Sequence, residues 1–153
     1  GGAERSRGFE CDFAGYITAD WQINASYSYI DAEITNDRDA SLIGARKQNT
    51  PKNSANLWTR YNFNSDSALK DLGVGFGMQY QSSKVPWFTR AFTLPDFTVF
   101  DAAIYYKPNK SNMQIAVNAG NLFNKTYWLG AQNYLRLFPG APRNFSLTVT
   151  YKF

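Results

Sequence analysis

The chain contains no histidine, so a Ser-His-Asp triad, a Cys-His pair and a histidine-rich metal site are impossible within it. Cys11 is the only cysteine, which rules out an internal disulfide and a cysteine-based metal site and leaves it a space-filling role. Carboxylates come together at Glu10 and Asp12, but acidic residues at i and i+2 on one strand face are routine on a wetted wall. No glycine-rich phosphate loop opens a helix. The residue types do offer noncovalent recognition. Trp87, Phe88 and Arg90 cluster in one stretch and Trp128, Tyr134, Arg136 and Phe138 in another. Aromatic faces beside guanidinium groups suit an anionic ligand held by charge and stacking. A simpler reading makes Trp87, Tyr127 and Trp128 belt residues, because Trp and Tyr gather where protein meets lipid headgroups.

The elements that would position these groups are strands. Residues 72 to 81 put Leu72, Val74, Phe76, Met78 and Tyr80 on one face and Gly73, Gly75, Gly77, Gln79 and Gln81 on the other, the period of two that marks a half-buried strand. Phe145, Leu147, Val149, Tyr151 and Phe153 alternate with Asn144, Ser146, Thr148, Thr150 and Lys152 in the same way. So do Trp21, Ile23, Ala25, Tyr27 and Tyr29 with the polar residues between them. Weaker alternation covers 54 to 63, 113 to 120 and 8 to 17, and residues 97 to 107 make a seventh strand with Asp101, Ala103 and Tyr105 facing inward. No helical period of useful length occurs, and no stretch approaches the roughly 20 apolar residues of a membrane-spanning helix.

Composition agrees. Aromatic residues make up 17% of the chain and charged ones 18%, a balance that suits pleated, half-buried surfaces. The 16 Lys and Arg against 12 Asp and Glu are scattered, whereas a nucleic-acid footprint would cluster, so no nucleic-acid partner is expected. Short links at Thr18 to Asp20, Asn64 to Asp71 and Pro108 to Asn112 alternate with long ones at Asn36 to Thr50, Pro86 to Asp96 and Leu129 to Pro142. That places all turns at one end of an up-and-down meander and all long loops at the other, as in outer-membrane barrels. A soluble β-sandwich would mix them. Seven strands do not make a bacterial single-chain barrel, whose strand number is normally even, and open edges are not tolerated in lipid. The expectation is an all-β, antiparallel, transmembrane β-barrel seen in part, with residues 1–153 as one portion of it. No signal peptide is visible at Gly1. For an exported protein the N-terminus is then expected to lie outside this chain, and the piece is not expected to fold alone.

Three sites resemble the C-terminal part of the barrel of TonB-dependent ferric-siderophore receptors. Glu4-Arg5-Ser6-Arg7-Gly8-Phe9-Glu10 looks like that family's E-x-R-S-R-G-x-E strand opening, and Thr50 through Trp58 resembles its re-entry segment after a long loop. Val117 through Tyr127 is similar to its N-x-x-N-L-F-D-K-x-Y stretch, with Asn124 where Asp is commoner and Ala119 where Asn is common, and Gly140-Ala141-Pro142-Arg143 follows before the last strand. The resemblance implies about seven C-terminal strands of a barrel of about 22, with a plug domain and N-terminal strands outside the chain. It further implies an outer-membrane location in a Gram-negative bacterium and transport without catalysis. Iron is cargo, carried as a ferric siderophore, and no cofactor is expected. The expected partners are the siderophore, the TonB complex, outer-membrane lipid and the barrel assembly machinery, for which Tyr151 and Phe153 on the apolar phase resemble the address. The two loop clusters become chelate-binding candidates. Arg5, Arg7, Glu10, Asp12, Arg60 and Asp101 are expected on lumen-facing phases, where they could meet a plug. Other readings stay open: a TonB-dependent receptor for haem, cobalamin or a glycan, with haem disfavoured by the missing histidine, or a small structural or adhesive barrel. An outer-membrane lipase or protease would need a base that the chain lacks.

Overall fold

The computed structural model describes residues 3–36, 50–63, 68–85, 93–108, 110–133 and 136–153. Among them lie nine strands: β1 Ala3–Thr18, β2 Trp21–Asn36, β3 Asn53–Asn62, β4 Leu72–Gln81, β5 Phe97–Tyr106, β6 Met113–Gly120, β7 Trp128–Asn133, β8 Arg136–Pro139 and β9 Asn144–Tyr151. Seven form one sheet in the order β1-β2-β3-β4-β5-β6-β9, with every neighbouring pair antiparallel, and β7 and β8 form a separate hairpin. The meander is the expected one. The hairpin is an addition where a loop was expected between Leu129 and Pro142, because its short, irregular pairing leaves no alternation to read.

Register carries the two faces across the sheet. Trp21, Tyr61, Val74, Ile104, Val117 and Leu147 are successive partners on the outward phase. Gln22, Arg60, Gly75, Ala103, Asn118 and Ser146 are successive partners on the opposite phase. Large apolar side chains stay exposed on the first, as at Phe145, 68% exposed, and Leu147, 67%. Away from this edge strand the face is still partly open, as at Val74, 42% exposed, and Val117, 45%; an apolar face so open would be an aggregation hazard in water, and it is the normal state of a wall solvated by lipid.

Aromatics border this band at both ends. At the turn end, Trp21 donates its indole N–H to Thr59 Oγ1 at 2.7 Å, and Tyr61 meets Phe63 edge-on at 5.3 Å. At the loop end, Phe9 lies 5.9 Å from both Tyr27 and Tyr29, and the exposed Phe123 meets Phe100 edge-on at 5.5 Å. Beyond the loop-end border β1 and β2 continue well past the alternating stretches, out to Ala3 and Asn36. There Arg5 pairs with Glu33, and Lys52 Nζ lies 3.9 Å from Asp31. Charge pairing extends the ladder where the apolar pattern stops.

On the inner phase β4 presents Gly73, Gly75 and Gly77, all buried. For Gly75 and Gly77 the reason is Trp58, a bulky side chain on the polar phase of β3. A Cβ at Gly75 would lie 2.7 Å from Trp58 Cζ2, and one at Gly77 2.7 Å from its Cε3. The glycines are the slot in which the indole lies.

Candidate ligand-binding site

The loop end of the inner wall is held together by two side-chain anchors. The first is Asn121, just after β6 and only 4% exposed. Its backbone adopts a left-handed φ of 48°, a conformation Asn tolerates better than most residues. The side-chain amide donates to the carbonyls of Lys125 at 2.7 Å and Ala141 at 3.0 Å, and its oxygen accepts from Lys125 N at 2.8 Å. The Asn121 main-chain N–H donates to Asp101 Oδ1 at 2.8 Å. One asparagine thus ties the end of β6 to β5 and to the segment leading into β9. Asn124, also left-handed at 54°, adds a bond from Arg143 N at 3.0 Å. The asparagine in place of the commoner aspartate keeps this acceptor.

The second anchor is Lys84, which is fully buried. It lies beyond β4 in a bridge with Leu94, outside the membrane-spanning stretch. Its ammonium donates to Gln81 Oε1 and to the Trp128 carbonyl, both at 3.0 Å, and sits 5.0 Å from the Phe97 ring centre. Burial pulls its pKa below the ordinary 10.5. The Tyr127 ring packs on Phe97 at 4.6 Å. Phe97 belongs to the inner phase of β5, so the chain entering β7 folds over the lumen side of the wall. The β7–β8 hairpin therefore stands at the loop end with its base fixed by Lys84 and the Phe97–Tyr127 contact.

The candidate residues divide accordingly. Trp128 is half-buried at the start of β7, with its carbonyl fixed by Lys84, and Phe138 is 48% exposed on β8. Arg136 begins β8. Trp87, Phe88, Arg90 and Tyr134 lie outside the described residues. Tyr127 packs inward on Phe97 and is not a belt residue; Phe123 takes the outward position in its place. Glu10, Asp12, Arg60 and Asp101 lie on the inner phase of the sheet, and Asp101 is also engaged by the Asn121 amide. Arg5 and Arg7 do not. With the register unbroken from Glu4 to Tyr16, they share the parity of Phe9 and lie on the outward phase, opposite Glu33 and Asp31. Polar character alone pointed them inward, but above the aromatic border both phases are wet and polarity no longer reports the side. Tyr151 and Phe153 lie together on the outward side, 5.2 Å apart and edge-on. Sequence reading missed Lys84, since an isolated lysine beyond a strand carries no pattern.

The family model described as TonB dependent receptor-like, beta-barrel, matches residues 1–122. This chain belongs to the TonB-dependent receptor family. The metal-pseudopaline receptor CntO of Pseudomonas aeruginosa is 33% identical over 153 residues, which cover 99% of this chain and 21% of that receptor. The ferrichrome outer membrane transporter/phage receptor of Escherichia coli is 32% identical over 156 residues, covering 100% of this chain and 20% of the transporter. Among solved structures, the siderophore receptor PiuA from Acinetobacter baumannii superposes with a TM-score of 0.86 at 29% identity over 99% of this chain and 22% of that one. The chain spans about a fifth of the length of these relatives. As part of a TonB-dependent receptor barrel, it is a segment of the outer membrane of a Gram-negative bacterium, with its turns periplasmic and its loop end outside.

Replacing Lys84 with methionine keeps the volume and removes both hydrogen bonds. Because the desolvation cost of the ammonium disappears with it, barrel assembly is expected to be unchanged. The hairpin base loosens, and amide hydrogen exchange in β7 and β8 should speed by roughly tenfold, the size of one net hydrogen bond. Unchanged exchange there would show that Lys84 does not hold the hairpin.

Proposed function

We propose that this chain is a wall segment of an outer-membrane receptor that imports ferric siderophores, energised through TonB. One observation carries the reading. A TonB-dependent barrel wall, apolar outside and polar inside, holds at its extracellular end a hairpin anchored on the lumen side, where a chelate would arrive. Relatives named as ferrichrome, siderophore and ferripyoverdine receptors support it. On this reading Trp128, Arg136 and Phe138 of the hairpin, with Tyr134, Trp87, Phe88 and Arg90, contribute aromatic faces and cations to the chelate site. Glu10, Asp12 and Asp101 face a plug domain, and Tyr151 with Phe153 serves recognition by the assembly machinery. The chain does no chemistry on its cargo and holds no cofactor of its own. The relative named as a metal-pseudopaline receptor, a name that does not specify iron, supports a second reading, in which the cargo is a chelate of another metal.

The test is equilibrium binding of purified receptor to a panel of hydroxamate, catecholate and mixed chelates, each loaded with iron, nickel or zinc, followed by tryptophan fluorescence. Saturable binding of one ferric chelate in preference to its metal-free form is the expected result. Preference for a nickel or zinc chelate would select the second reading, and binding of none would refute both.

A further inference from the structure

The lumen wall of this chain is polarised along its height. Register places Glu10 nearest the loop end, Asp12 and Asp101 lower, then Arg60, with Lys107 just beyond β5 at the turn end. On this face of the sheet the carboxylates of Glu10, Asp12 and Asp101 thus lie above Arg60 and Lys107. Between Arg60 and Lys107 the wall opens into a groove of about 370 Å³, also lined by Asn62, Asp71, Tyr105 and Gln114. That volume lies in the range of small-molecule sites.

Arg60 is set up there as an anion contact. Its guanidinium lies flat on Tyr105, 3.7 Å from the ring centre, and its Nε donates to Asn62 Oδ1 at 3.1 Å. Stacking and this bond fix the plane of the fork, and a guanidinium so held suits two oxygens of one anion. No carboxylate of the described residues forms an ion pair with Arg60 or Lys107. Among the described residues Asp71 is the one acid lining the groove, against the two cations Arg60 and Lys107. A second groove shares Lys107 and Gln114 and adds Lys152, which prolongs the basic strip along the periplasmic rim.

We infer that the groove of Arg60, Tyr105 and Lys107 is a transit site for an anionic, oxygen-rich metal chelate leaving the barrel on the periplasmic side. The inference rests on the transport reading proposed above. The groove is remote from the loop-end hairpin, so it acts on passage and not on capture. Once past Glu10, Asp12 and Asp101, an anion is drawn downward by the basic rim through a lumen whose low-dielectric walls focus the field.

The test uses the full-length receptor in cells, with the double variant Arg60→Gln/Lys107→Gln and the charge-retaining Arg60→Lys. Surface binding is measured without TonB, and uptake with it, for an anionic and an uncharged ferric chelate. The expected result is binding within twofold of wild type for both, uptake of the anionic chelate slowed roughly tenfold in the double variant, as for one lost charge-assisted hydrogen bond, uptake of the uncharged one unchanged, and partial recovery in Arg60→Lys. Equal slowing of both chelates, or of neither, overturns the site. New sensitivity to a bulky hydrophilic antibiotic would also overturn it, showing that these residues hold a protein segment in the lumen. A wild-type receptor that binds and imports no chelate, or only uncharged ones, removes the transport reading or its anionic cargo, and the site with it.

Discussion

Asn121→Ala is expected to destabilise the barrel by about 3 kcal/mol, the sum of three side-chain hydrogen bonds at ~1 kcal/mol each, with up to ~1 kcal/mol more from forcing alanine into the left-handed region. The residue is 4% exposed, so water does not replace the lost partners. The carbonyls of Lys125 and Ala141 lose their donor at the point where the chain leaves β6 and where it returns to β9. The β6–β9 pairing spans the intervening 121–143 segment, and this anchor brings its ends together. Asn121→Gly relieves the backbone while losing the same bonds and should recover about 1 kcal/mol. Asn121→Asp should be at least as damaging as alanine, because a carboxylate would oppose two carbonyl oxygens. Urea midpoints in lipid vesicles and heat-dependent gel mobility of the receptor measure the series. If the three variants unfold with wild type, the anchor is incidental.

The second large effect depends on sidedness. Val117 lies mid-strand on the outward phase between Ile104 and Leu147, while Asn118 beside it faces the lumen between Ala103 and Ser146. Val117→Arg should cost ~2–4 kcal/mol, the cost of an arginine facing lipid near the bilayer midplane, and should sharply reduce the amount of assembled receptor. Asn118→Arg puts the same side chain into a wetted lumen, and less than about 1 kcal/mol is expected. The contrast between adjacent residues separates a membrane wall from a soluble sheet, in which a buried inner face would make Asn118 the sensitive position. Membrane fractionation of both variants gives the answer.

The sheet was readable because lipid and lumen impose opposite demands on alternate residues. Trp21 through Tyr29, Leu72 through Gln81 and Asn144 through Tyr151 show that alternation cleanly, and their strands form as read. Where the demand stops, so does the signal. Arg5 and Arg7 lie above the apolar band, where polarity does not distinguish the faces, and only the parity with Phe9 reveals their side. Trp58 breaks its strand's pattern because the reason for an indole on the inner phase, the glycine slot, lies on the neighbouring strand. The β7–β8 hairpin and Lys84 depend on contacts between segments far apart in sequence, which periodicity does not record. The family motif around Asn121 was recognisable as a string, but its physical content, a left-handed residue satisfying three loop bonds, appears only in the fold.

The most direct test of the account is uptake of radioactive iron by iron-starved cells carrying the full-length receptor, supplied with a panel of ferric siderophores, with and without functional TonB. Import of one chelate that ceases when TonB is absent is the predicted result. Receptor present in the outer membrane with no TonB-dependent import of any ferric chelate would contradict it.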